Sequence, residues 1–301
     1  MNYVDEIKRL KKEKNAVILA HYYQEKEIQD IADYLGDSLH LAQVAMKTAA
    51  DIIVFCGVHF MAETAKILNP SKKVLLPVLH AGCKMADMIH PSALKKYKEE
   101  HPNTKIITYV NSTASVKALS DCICTSTNAL KIINHYLEQG DSILYCPDQN
   151  LGKYAMKTSG KSFEVWEGCC PIHHYLDPKR IISLKQEYPT AKILAHPECQ
   201  EKILELADFI GSTKQLLDYT IQSEDTIFII ATEKGVIHAM ERACPNKTFI
   251  LASPSLSCND MKYTTLKEVY EVLKNETNEI FVEEDIANSA KRALDEMLKL
   301  S

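Results

Sequence analysis

Residues 14–38 read KNAVILAHYYQEKEIQDIADYLGDS, and the chain repeats this pattern twice more. Residues 103–126, NTKIITYVNSTASVKALSDCICTS, and residues 190–213, TAKILAHPECQEKILELADFIGST, line up with it. Each is an apolar strand-like run ending in a polar residue, then a stretch with apolar residues at helical spacing, then a small-residue turn (GDS, CTS or GST). A second unit follows each copy: DIIVFCGVHFMAETAKILNPSKKVLLP, DSILYCPDQNLGKYAMKTSGKSFEVW and DTIFIIATEKGVIHAMERACPNKTFILA. All three read strand–helix–turn–strand. Such alternation predicts α/β layers with parallel strands. Three copies at a period of about 87 residues predict three pseudo-symmetric αβα domains. Their expected boundaries are 1–88, 89–175 and 176–262, with 263–301 packing back on the first.

Composition narrows the function classes. At 301 residues, 46% hydrophobic and 25% charged, the chain reads as an ordinary globular protein. A net charge of −5 gives no general pull toward nucleic acid or anionic membrane. No apolar run is long enough to span a bilayer. The N-terminal apolar stretch Ala16–Ala20 is too short for a secretory signal, and the segment before it reads as a charged amphipathic helix. Ten cysteines in such a chain suggest a reducing, cytoplasmic setting in which thiols stay free.

Most of those cysteines read as small buried hydrophobes, Cys56, Cys146 and Cys244 among them. Three stand apart. After the last strand of each copy come AGCKMAD, GCCPIHH and LSCNDMK, with Cys83, Cys170 and Cys258 at intervals of 87 and 88 residues. Each domain thus supplies one thiol from the same slot, whereas Cys169 has no counterpart. Ligand sites of parallel α/β units lie at the carboxyl ends of the strands, so three domains facing one axis would bring the three thiols together. Three widely spaced sulfur ligands suit zinc with an open position, or an iron–sulfur cluster with one iron lacking a protein thiolate. Either would act as a Lewis acid on a substrate oxygen.

The first strands end in AHYY, TYVN and AHPE, which supply His21, Tyr23, Tyr109, Asn111, His196 and Glu198 for proton transfer and hydrogen bonding. The GDS, CTS and GST turns place Ser38, Ser126, Ser212 and Thr213 where a helix begins. Those hydroxyls either cap the helices or help them hold anionic groups. AMKTSGKS (155–162) imitates a nucleotide-binding loop, but a helix precedes it and a strand follows, the reverse of what phosphate binding requires. Gly160 there reads as a helix C-cap.

With the three thiols, AHYYQ, GDSL, YVNST, CTS, CPIH, HPEC and GST in order, the chain resembles the quinolinate synthase family from about residue 4 to residue 265. That resemblance implies a triangle of three αβα domains around a central [4Fe–4S] cluster held by Cys83, Cys170 and Cys258, its fourth iron open to substrate or water. It implies condensation of iminoaspartate with dihydroxyacetone phosphate to quinolinate, phosphate and water, on the route to NAD. A functional link to an aspartate-oxidising enzyme that supplies iminoaspartate goes with it. By matching motifs, His21, Ser38, Tyr109, Asn111, Ser126, His196, Ser212 and Thr213 would contact substrate. Tyr23, Glu198 and His173 would lie with them as acid/base groups. No cysteine follows Cys258, so the chain resembles the shorter members without a C-terminal cysteine run. A zinc-dependent lyase or hydrolase on the same thiolates, and a non-catalytic metabolite- or metal-sensing protein, are the competing readings.

Overall fold

In the computed structural model, which describes residues 2–301, three four-stranded sheets repeat one plan. The first is built from β1 (Ala16–His21), β2 (Tyr34–Gly36), β3 (Ile52–Cys56) and β4 (Lys73–Leu75). The second contains β5 (Thr104–Tyr109), β6 (Cys122–Cys124), β7 (Ser142–Cys146) and β8 (Glu164–Val165), and the third β9 (Lys192–Ala195), β10 (Phe209–Ile210), β11 (Ile227–Ala231) and β12 (Thr248–Leu251). Every pairing within them is parallel, and the order is β2-β1-β3-β4 and its two equivalents. The fold is therefore α/β with three αβα layered units, as the repeats predict.

Helices connect the strands. In the first unit these are α1 (Tyr3–Glu13), α2 (Lys26–Ile31), α3 (Ser38–Lys47) and α4 (His59–Leu68). The second has α5 (Pro91–Glu100), α6 (Ala114–Lys117), α7 (Ala129–Glu138), α8 (Gln149–Ser159) and α9 (Pro171–His174). The third has α10 (Pro178–Glu187), α11 (Glu201–Leu204), α12 (Thr213–Gln222) and α13 (Val236–Ala243), and α14 (Leu266–Asn275) and α15 (Glu284–Leu300) follow it. None of the described helices is long and apolar enough to cross a membrane.

The central strands are apolar on both faces because helices cover both, so β3 (IIVFC) is buried along its whole length. The edge strands β2, β6 and β10 lie where the sequence pattern suggests only helix ends and turns. With two or three residues they show no period-two pattern, yet each is fixed by the aspartate before it. Asp33, Asp121 and Asp208 accept the backbone N–H of Ile18, Ile106 and Ile193 at 2.7, 2.8 and 2.8 Å. The false nucleotide loop behaves as its context demands: α8 ends at Gly160, which is left-handed at φ 69°, and β8 follows.

The chain after the third unit divides. α14 lies along α1, where Ile7 and Leu10 meet Val269, Tyr270 and Leu273 in one core. Full burial of each such side chain contributes about 1.5–3 kcal/mol. α15 instead lays Ala290, Ala293, Leu294 and Met297, spaced for one helical face, against α6, β6 and α4. It thereby bridges the second unit to the first.

The order β2-β1-β3 places a topological switch point between β1 and β3, and each sheet has its equivalent. Crevices at such points, at the carboxyl ends of the strands, are where ligands enter α/β sheets.

Candidate active site and metal centre

Equivalent registers pair Ala20 with Cys56, Thr108 with Cys146 and Ala195 with Ala231. His21, Tyr109 and His196 follow directly, so the three stand in one slot at the switch points. Two residues further on come Tyr23, Asn111 and Glu198. The histidines share a local device. The N–H of Tyr23 donates to His21 Nδ1 at 3.1 Å, and that of Glu198 donates to His196 Nδ1 at 3.3 Å. With Nδ1 accepting, the ring proton of each sits on Nε2. Burial lowers both, His21 to about 3 and His196 to about 4, so both are neutral donors at physiological pH.

A small cavity of about 30 Å³ is lined by His21, Tyr23, Ser38, Tyr109, Ser126, His196, Glu198 and Thr213, with Asp37 and Thr125. All three units contribute. Glu198 is the hub. Tyr109 donates its hydroxyl proton to Oε1 at 2.6 Å, and His173 Nδ1 lies 2.8 Å from Oε2. Burial pushes this carboxyl up, but His196, His173 and the two hydrogen bonds outweigh it and hold Glu198 down at about 2. Burial and the charge of Glu198 raise the Tyr23 and Tyr109 phenols well above the ordinary value, so both stay protonated.

One chain of hydrogen bonds joins the acid/base candidates. The Tyr23 hydroxyl lies 2.9 Å from both Thr213 Oγ1 and Thr232 Oγ1. Thr232 Oγ1 is in turn 2.9 Å from His173 Nε2, and His173 Nδ1 reaches Glu198. Thr232, fully buried just past the end of β11, escapes sequence reasoning. Its counterparts are Gly57 and Pro147, so no repeated signal marks it.

The hydroxyl turns divide in role. Ser38 and Thr213 are the first residues of α3 and α12 and face the cavity. Ser212 is itself the N-cap of α12, in a capping box with Gln215, and is buried outside the cavity lining. Ser126 caps nothing, since α7 begins three residues later, and Asp37 rather than a serine caps α3. Thr127 Oγ1 lies 3.1 Å from Asp37 Oδ2 and 2.8 Å from Ser212 Oγ, tying the three turns together. Asn111 is outside the cavity lining, and its Oδ1 is buried without a hydrogen-bond partner among the described residues.

Beside this cavity lies a second, of about 100 Å³, lined by Cys83, Cys170 and Cys258 together with Lys84, Met85 and Pro171. The three thiols occupy one slot in structure as in sequence. His59 N–H donates to Ala81 O, Gln149 N–H to Gly168 O and Lys234 N–H to Leu256 O, all at 2.8 Å. Each bond ties the residue three past the middle strand to the residue two before the cysteine. All ten cysteines are free, and Cys56, Cys122, Cys124, Cys146, Cys169, Cys199 and Cys244 are buried in packing. Burial raises the three thiols, Cys83 to about 12 and Cys258 to about 11, with Cys170 well above the ordinary value. Three converging soft donors that become thiolates only against a cation fit a thiophilic metal centre. His173 Nδ1, 3.3 Å from Cys170 Sγ, joins the thiol cavity to the Glu198 cavity.

Residues 5–299 match the family described as Quinolinate synthetase A protein. The chain belongs to the quinolinate synthase family. It is 48% identical to the quinolinate synthase of Chloroherpeton thalassium over 307 aligned residues, which cover 100% of this chain and 95% of that protein. Quinolinate synthases of Microcystis aeruginosa (49% identical, 98% and 94% covered) and Trichormus variabilis (50%, 98% and 92%) are similarly close along the whole chain. The two adjoining cavities thus sit in a member of a family of enzymes.

Proposed function

We propose that this chain condenses iminoaspartate with dihydroxyacetone phosphate to quinolinate, phosphate and water, serving NAD synthesis in the cytoplasm. Cys83, Cys170 and Cys258 would hold a [4Fe–4S] cluster, and an aspartate-oxidising enzyme would supply the imine. The observation that carries this reading is the junction at His173. Its Nδ1 lies 3.3 Å from Cys170 Sγ and 2.8 Å from Glu198 Oε2, so the thiol centre and the acid/base groups share one reaction space.

With three protein thiolates, such a cluster leaves one iron free to polarise a substrate oxygen as a Lewis acid. The chain's own groups account for the rest. The Nε2–H donors of His21 and His196 suit the carboxylates of the imine. Ser38 and Thr213, at the starts of two ten-residue helices, offer hydroxyls and free backbone N–H groups to phosphate. Tyr109 and Ser126 add hydroxyls, while Asn111 and Ser212 stand just outside as further candidate contacts. Glu198, anionic and held between Tyr109 and His173, is placed to take a proton from carbon beside a carbonyl. Tyr23, kept protonated, is placed to give one to a departing oxygen. Thr232 and His173 connect the two, so a proton lost at one end can be balanced at the other.

A cavity of about 30 Å³ has room for about two waters. Both substrates are larger, so the units separate to admit them and close over the complex. The test is anaerobic incubation of reconstituted protein with both substrates. Quinolinate should form with the parent and not with Glu198→Gln.

A second reading rests on the donors of Cys170, His173 and Glu198, which all lie within 4.8 Å of one another and would suit a single zinc ion. Metal analysis separates the two readings. Zinc at one per chain in active protein would favour the second.

A further inference from the structure

Two residues past each middle strand, the units diverge: the first has Val58, the second Asp148 and the third Glu233. All three are buried, at 2%, 0% and 1% exposure. Buried carboxylates are costly unless each oxygen is engaged, and here every oxygen is. Asp148 Oδ1 accepts the N–H of Leu151 at 2.7 Å, and its Oδ2 accepts the N–H of Cys170 at 3.0 Å. Glu233 Oε2 accepts the N–H of Gly235 at 2.7 Å, and its Oε1 accepts the N–H of Cys258 at 3.1 Å. Glu233 is also paired with Lys262, at 3.2 Å. One oxygen of each carboxylate therefore grips the start of the helix after the middle strand. The other grips the backbone of the cysteine 22 or 25 residues later.

Val58 cannot do this. The first unit keeps the backbone bond from His59 to Ala81 but, among the described residues, has no carboxylate of its own on the cysteine loop, which is instead held by one from another unit. Gly82, next to Cys83, donates its N–H to Asp260 Oδ1 of the third unit at 3.3 Å.

We propose that Asp148 and Glu233 are positioning residues that fix Cys170 and Cys258 in the ligating arrangement, while the Cys83 loop, lacking such a residue, is the adjustable member of the three. This rests on the three-thiolate reading of the proposed function. Fixing two ligands in advance reduces the ordering needed when the centre assembles. Engaging the cysteine N–H groups with carboxylates also withholds them from the cluster sulfurs, whose hydrogen bonding sets the potential.

The experiment uses the reconstituted whole chain: parent, Asp148→Asn, Glu233→Gln, and Val58→Ala as a control for buried volume lost at the same slot. It follows chelator-driven loss of iron and the electron paramagnetic resonance spectrum of the reduced cluster. Asp148→Asn and Glu233→Gln should each lose iron about tenfold faster or more, with a shifted spectrum. Val58→Ala should match the parent spectrum even if its melting temperature falls. Parent-like iron loss and spectra in both carboxylate variants would overturn the proposal. If Asp148→Asn fails to fold by circular dichroism, Glu233→Gln decides alone, and Glu233→Asp should restore part of the retention. A parent that takes up no iron would refute the three-thiolate reading instead, so the two failures are distinguishable.

Discussion

Tyr109 and Glu198, from the ends of the first strands of two different units, meet through a 2.6 Å hydrogen bond at full burial. The phenol stays protonated and the carboxyl ionised, so the bond has a defined direction. Tyr109→Phe removes one of the donors that hold Glu198 in its charged form. The variant should lose about 1.5–3 kcal/mol of stability, the range for a hydrogen bond to a charged group. It should also lower kcat more than it raises KM. Urea melts and steady-state kinetics check both; an unchanged kcat would remove Tyr109 and Glu198 from the chemistry.

Thr232 is the link between Tyr23 and His173, at 2.9 Å from each. Thr232→Val keeps the shape and removes the hydroxyl. The expected result is a fall in kcat of about a hundredfold, the low end for general acid–base assistance, with cluster content unchanged. A variant as fast as the parent would show that the relay is only packing.

His21 and His196 are buried in neutral form, with values lowered to about 3 and about 4. The unfolded chain binds a proton at each below about pH 6.5, and the folded chain does not. Their contribution is therefore intact above pH 6.5 and is lost as pH falls from there toward 4. The loss approaches about 1.4 kcal/mol per pH unit for each histidine. Melts of cluster-free protein between pH 7.5 and 5 should show the decline, and His21→Asn should roughly halve its slope, leaving the part due to His196. A parent whose stability is level across that range would contradict the assigned burial.

Glu276 ends α14 in a left-handed conformation, φ 52°, and pairs with Lys14 at 2.5 Å and Lys73 at 2.6 Å. Hydrogen bonds from those two lysines hold its carboxyl down at about 2. It is about a third exposed, so solvent screening limits the pairs to about 1 kcal/mol in total. That stability is present above about pH 4.5, the ordinary carboxyl value, and disappears as pH falls toward 2. Glu276→Gln should be less stable than the parent at pH 6, with the gap shrinking below pH 4.5 and nearly gone at pH 2. A gap as large at pH 2 as at pH 6 would mean that the ion pairs are not its source.

The repeats make most of this fold legible in the sequence. Long central strands such as VILAH and IIVFC carry a strong apolar signal, and three copies reinforce one another. The same counting puts Cys83, Cys170 and Cys258 in one slot from their spacing alone. Short edge strands escape because two or three residues carry no period. Asp148, Glu233 and Thr232 are illegible for another reason. Their partners lie 22, 25 and 59 residues away, and their slots hold unlike residues in the three units. Only the folded backbone brings those groups together. Ser126 shows the opposite error: its resemblance to the capping serine Ser212 suggests a helix start that lies three residues further on.

On the proposed function, three thiols from three units hold one cluster. The most direct measurement is iron and acid-labile sulfide per chain, with an absorption spectrum, on anaerobically purified parent and Cys170→Ser. About four irons and a brown colour are expected of the parent, as for a thiolate-bound [4Fe–4S] centre, with both lost in the variant. Zinc in place of iron, or a cluster unchanged in Cys170→Ser, would contradict it.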